Sequence, residues 1–126
     1  MHDITAESGE RIISSLQRLL EGIPNATRAA LDASLKMGLD KAKQTVPVRT
    51  GALQRSIHHE IKSAQQGELV AGDYNVDYAK LVEFGTKNRT ARPYMKPSAE
   101  ITNKELPKRL SEEVGKLLRY IERRWL

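Results

Sequence analysis

Along the first 46 residues the apolar positions recur at the spacing of a helix. Ile12, Ile13, Leu16, Leu19 and Leu20 fall three or four apart between residues 9 and 21. That predicts an amphipathic helix, with Ser8 as N-cap and Arg11, Gln17, Arg18 and Glu21 turned to water. The "GIP" at 22–24 interrupts it. Pro24 has no N–H to give a helical ladder and is expected to open a second helix or kink the first. From Asn25 to Thr45 the pattern resumes as Leu31, Leu35, Leu39, Ala42 and Val46, with Ala30, Ala33 and Gly38 beside them. Small residues on that face would let another backbone come close. Pro47 ends the pattern, because it disfavours the α region at Val46.

Beyond Pro47 the period changes to two. Val46, Pro47 and Val48 read as an extended exit, and Thr50 can cap a single turn begun by Gly51 with Leu53 tucked beneath. Ser56 to Ser63 reads as a strand, with Ile57, His59 and Ile61 on one face and His58, Glu60 and Lys62 on the other. "AQQG" at 64–67 reads as a hairpin turn, and Glu68 to Gly72 as the returning strand, Leu69 and Ala71 on one face and Val70 on the other. Two strands alone are marginal, so the helix from 25 to 45 is expected to cover them. Tyr78, Ala79, Leu81 and Val82 suit one or two helical turns stopped by Gly85; a strand from Ala79 to Phe84 is the competing reading. "TKNRTARPYM" is a polar loop carrying Lys87, Arg89 and Arg92, after which Tyr94 and Met95 are expected to rejoin the sheet. Pro97 then opens a last helix over about Ser98–Arg124, striped by Ile101, Leu106, Leu110, Val114, Leu117, Leu118, Ile121 and Trp125. Pro107 inside it predicts a kink or restart near Asn103. The expected fold class is α+β: a long N-terminal helix, interrupted at Pro24, and a C-terminal helix packed on a small antiparallel sheet. Residues 1–126 read as a single domain, with 1–8 flexible and 86–92 an extended loop.

Composition adds limits. At 126 residues one modest core can form, and with one Trp, one Phe and four Tyr it must rest on Leu, Ile, Val and Ala. The absence of cysteine removes disulfides, thiolate zinc sites and a cysteine nucleophile. No segment reads as a signal peptide, and no apolar run approaches a membrane span. A net charge of +5 makes an acidic partner or nucleic acid conceivable. The cations, however, are spread along the chain and interleaved with acids, as on solvated helix faces.

Candidate chemistry is sparse. His58 and His59 are neighbours on a strand and face opposite ways, so one ion cannot easily take both, and His2 lies in the N-terminal segment expected to be flexible. No nucleophile elbow, phosphate-binding glycine loop or dinucleotide fingerprint occurs. Glu60 and Glu83 are a pair that nothing places across a cleft. The reading is therefore a non-enzyme with no catalytic residue, metal or cofactor. Lys87, Arg89, Arg92 and Lys96, with Tyr94 among them, could meet phosphates or an acidic protein surface; single-strand platforms interleave more aromatics than this one. Glu83, between Val82 and Phe84, needs a partner if buried, and Arg49 or Arg92 are natural ones; an exposed helical turn is the alternative.

The order of a long helix, "VPVRTGALQRSI", a hairpin, "YAKLVEFGT", "ARPYMKP" and a C-terminal helix resembles the small tail-completion and head–tail joining proteins of long-tailed bacteriophages, the neck or minor tail component family. The resemblance covers roughly residues 25 to 125. It rests on Pro47, Arg49, Thr50, Gly51, Leu53, Tyr78, Glu83, Phe84, Gly85, Thr86, Arg92, Pro93 and Pro97. Pro107 and the "GIP" break are not features of the family. The resemblance implies a virion structural protein, made in the host cytoplasm, that forms a ring, commonly of six, between the tail-tube protein and the head connector or stopper. DNA would at most pass through the channel, with no specific nucleic-acid binding and no membrane. The candidate assembly residues are Arg49, Thr50, Gly51, Glu83, Gly85, Thr86, Lys87, Arg89, Arg92 and Tyr94, with the segment from Thr86 to Arg92 as a docking arm. A small basic nucleic-acid-binding module is the alternative, and a toxin or nuclease-like enzyme a third.

Overall fold

Every fourth residue from Ala26 to Val46 is buried: Ala26, Ala30, Ser34, Gly38, Ala42 and Val46. All but the last are small, and this ridge determines how the molecule is built. The computed structural model describes residues 6–125, with side chains from Gly9 to Arg124. The ridge lies on α1 (Ala6–Thr45) and packs against α4 (Met95–Trp125). The end of α1 meets the start of α4, so the two long helices run antiparallel. A ridge of small side chains at four-residue spacing lets helices approach closely. At Gly38 the fit is tightest: a Cβ there would strike the Thr102 hydroxyl and come within 3.0 Å of the Ser98 carbonyl and of Leu69 Cδ1. The hydroxyls trapped in this seam are satisfied within their own helices. Ser34 Oγ donates to the Ala30 carbonyl at 2.8 Å, Ser98 Oγ to Tyr94 at 2.6 Å and Thr102 Oγ1 to Ser98 at 2.9 Å.

Neither internal proline breaks its helix. α1 is continuous through Pro24 and α4 through Pro107, against the interruptions expected at both. Each ring faces water, so the freed carbonyl is solvated, and α1–α4 packing on both sides of the proline offsets a cost of about 3 kcal/mol. The expected flexibility of residues 1–8 and the position of His2 concern residues largely outside the description; from Ala6 the chain is helical, so Ser8 is not its N-cap. The stripe expected to pack near the N-terminus is turned out: Ile12, Ile13, Leu16 and Leu20 are exposed, while Ser15 is buried.

After α1 the chain turns at Gly51 (φ +84°) into α2 (Ala52–Ser56), whose first N–H reaches the Thr50 hydroxyl at 3.3 Å. α2 takes the first residue of the expected strand, so β1 is His58–Ser63. It pairs antiparallel with β2 (Gln66–Val70), with His58 opposite Val70 and a bulge between Ile61 and Ser63. The turn shrinks to two residues, 64 and 65. Glu60 sits opposite Glu68, a repulsive pair that Lys62 bridges at 3.3 and 3.1 Å. The other face of the hairpin lies on α1, where His59 Nε2 meets Asp32 Oδ1 at 3.0 Å. A two-residue turn at 74–75 follows, then α3 (Ala79–Phe84), the helical alternative of the two readings. The main core gathers Ala42, Val46, Leu53, Ile57, Val76 and Tyr94 at this end of the helix pair. The fold class is α+β, as expected.

Candidate assembly site

Glu83 holds the site together from beneath. It is 8% exposed, and its carboxylate caps α4: Oε2 accepts the N–H groups of Tyr94 at 2.8 Å and Met95 at 2.9 Å, and Oε1 that of Lys96 at 3.0 Å. An anion at a helix N-terminus meets unpaired N–H groups and the positive end of the macrodipole. Pro97 follows with no N–H to satisfy. The partner expected for Glu83 was an arginine, Arg49 or Arg92. The backbone of α4 takes that place, because three donors converge where a buried carboxylate needs them.

Tyr94 also points inward. It does not return to the sheet, which has two strands among the described residues, but stands at the threshold of α4 with 1% of its surface exposed. Its hydroxyl donates to the Ala79 carbonyl at 3.0 Å, and burial, with the Glu83 charge nearby, pushes its pKa up to about 12. Tyr94 and Glu83 therefore tie α3 to α4 and are not presented on the surface of the chain. The helix begins at Met95, three residues before the expected start, because Glu83 supplies its cap.

The segment from Thr86 to Arg92, expected as an extended arm, is a tight turn folded back on α3. Thr86 N–H donates to the Arg89 carbonyl at 2.9 Å, Arg89 N–H returns to Thr86 at 3.3 Å, and Arg92 N–H reaches the Val82 carbonyl at 2.9 Å. Gly85 (φ +75°) allows the fold-back; a Cβ there would lie 2.6 Å from the Ala91 nitrogen.

The tethers hold the 86–92 turn on α3, and core packing of Val46 and Leu53 with Val82 and Tyr94 sets the exit of α1 beside it, around a groove of about 700 Å³. Its floor is apolar, made by Pro47, Leu53, Tyr78, Leu81 and Val82, and its walls carry Thr50, Gly51, Thr86 and Thr90. Arg49, Arg89 and Arg92 ring it, all exposed. No carboxylate lines the groove, and none of the three guanidinium groups has an ion-pair partner among the described residues. Of the candidate residues, Arg49, Thr50, Gly51, Thr86, Arg89 and Arg92 meet here. Lys87 is exposed at the tip of the turn, while Gly85, Glu83 and Tyr94 support it from behind. Sequence reasoning missed Leu81 as a site residue: it was read only as part of a short helix, and it lines the groove with 55% of its surface exposed. Phe84, beside the buried Glu83, is 72% exposed. Among the described residues no cluster of histidine and carboxylate side chains could hold a metal ion, and no helix is long and apolar enough to cross a membrane.

A comparison with protein families matches residues 10–85, more than half of the chain, to the family described as "Bacteriophage HK97-gp10, putative tail-component". The chain belongs to the HK97-gp10-like family of phage tail components. Neither the curated proteins nor the solved structures include a significant match. The family match begins earlier in α1 than the resemblance in the sequence and stops at Gly85, so "ARPYMKP" and α4 lie beyond it. The matched stretch carries the Pro47–Leu53 and Tyr78–Val82 parts of the groove, and Arg89 and Arg92 come from the unmatched turn.

Proposed function

We propose that this tail component acts at the head–tail interface, as a ring, with six subunits expected, that completes the tail tube and receives the head connector or stopper. The observation that carries the reading is the groove. Two segments distant in sequence, 47–53 and 78–92, meet through the core they share, and hydrogen bonds fold the second on itself, so that they present an apolar lining and three unpaired arginines, with no carboxylate among the lining residues. Such a surface suits protein contact, with apolar anchors for affinity and a charged rim for partner choice. It supports assembly rather than catalysis. The partners on this reading are copies of the same chain, the tail-tube protein and the connector, and the setting is the virion.

Removing the gene from a phage that carries it tests this. The expected result is separate heads and tails in lysates, with antibody against the protein labelling the head-proximal end of wild-type tails. Joined, infectious particles in the absence of the protein, or label at the distal tail tip, would overturn it.

One observation also favours the nucleic-acid reading: the arginines of the groove are free of carboxylates. Against it, Tyr94, the aromatic of the 87–96 loop, is in the core and unavailable for stacking. A salt titration separates the two, since phosphate contacts weaken steeply as salt rises.

A further inference from the structure

Tyr74 is 100% exposed, the most exposed large apolar side chain described. It stands on a turn that its own backbone closes: Asp73 N–H donates to the Val76 carbonyl at 3.0 Å, Val76 N–H donates back at 3.1 Å, and Asp73 Oδ1 accepts the Asn75 N–H at 2.8 Å. Val76 roots the turn in the core. Asp73 and Asp77, both exposed, precede and follow it along the turn, and Asp77 has no ion-pair partner among the described residues. The result is an aromatic knob between two carboxylates, fixed before any partner arrives. The groove is its complement, with an apolar floor and three arginines without acids.

We propose that the Asp73–Asp77 turn of one copy seats in the arginine-rimmed groove of the next, Tyr74 on the apolar floor and the two carboxylates among the guanidinium groups. The inference rests on the ring reading and names its contact. Charge complementarity selects a second copy as the occupant, since the chain carries both halves. A tyrosine in a pocket with arginines around it is the composition of an interface hot spot, and a rigid turn loses little entropy on docking. Knob and groove are different patches, so the contact is heterologous and repeats from copy to copy until a ring closes.

The chain has no cysteine, which makes the contact easy to trap. Full-length protein carrying Asn75→Cys and Thr90→Cys, both exposed positions, is oxidised in the presence of isolated tails and run denatured without reductant. A ladder extending beyond the dimer is expected, with each single substitution giving no ladder. Adding Tyr74→Ser, which removes nothing the chain's own fold touches, should cut the ladder by about tenfold or more. Monomers alone, dimers alone, or a ladder indifferent to Tyr74→Ser would overturn the contact. Those results leave the ring reading standing if antibody still labels the head-proximal tail end, and that reading fails separately if it does not.

Discussion

The two ends of the α1–α4 pair are built from the same helices and finished to different degrees. At the hairpin end, α1 and α4 are joined by α2, the sheet and α3, and Ala42, Val46, Leu53, Ile57 and Tyr94 are buried together. At the far end, among the described residues, the helices have only each other. Ile12, Ile13, Leu16, Leu20 and Leu118 remain exposed, with Ser15 and Ile121 buried in the seam. Two helices have one shared face, and side chains on the outer flanks of that face stay wet unless a third layer covers them. Helical periodicity is thus the same at both ends, and burial is decided by what the rest of the chain supplies.

The comparison can be broken most severely at Glu83. Glu83→Ala strips the acceptor from three N–H groups at the start of α4, and should cost about 3–5 kcal/mol in urea unfolding; a loss below 1 kcal/mol would mean the cap is dispensable. Leucine truncation reads the two ends directly. Leu35→Ala, buried against Gly67, should cost about 3 kcal/mol, whereas Leu20→Ala, already 67% exposed, should stay within about 0.5 kcal/mol. A glycine pair sharpens the contrast by reversing sign. Gly38→Ala pushes a methyl into Thr102 and should destabilise by about 2 kcal/mol, while Gly9→Ala, with nothing within 4 Å, should stabilise by up to about 1 kcal/mol through helix propensity.

The smallest effect is electrostatic and lies on the outer face of the hairpin. His58 has a raised pKa, first from the Ser56 carbonyl and then from Glu60. Its folded pKa lies above the unfolded one, so its contribution is complete below about pH 6.5 and is lost as the pH climbs through the raised value. Solvent exposure keeps it small. Melting temperature should therefore fall slightly across that window, and His58→Asn should flatten the change; an unaltered slope would assign it elsewhere.

Much of the fold was legible because it rests on period and punctuation. Pro47, Gly51 and Gly85 mark joints where backbone rules leave few options, and the hairpin alternates as a half-buried pair must. Pro24 and Pro107 misled, because local propensity is outweighed when a long helix packs on both sides of the defect. The small-residue ridge was largely legible: the expected face of α1 already held Ala30, Gly38, Ala42 and Val46, and the close approach expected of its small residues occurs at Gly38, while Ala26 and Ser34 lay outside the leucine pattern that defined that face. The groove itself was half legible. Arg49, Arg89 and Arg92 stood out as charges, yet only the fold-back at Gly85 brings them to one mouth. The roles of Glu83 and Tyr94 depend on where α4 begins, and a carboxylate eleven residues upstream sets that start.

The groove is where structure and proposed assembly meet, and the titre of a phage carrying Arg49→Glu and Arg92→Glu tests that link most directly. Both side chains are exposed and unpaired, so the variant should fold with an unchanged melting temperature. A titre lower by at least about tenfold, with heads and tails accumulating apart, is the expected result; wild-type titre from a stably folded variant would contradict it.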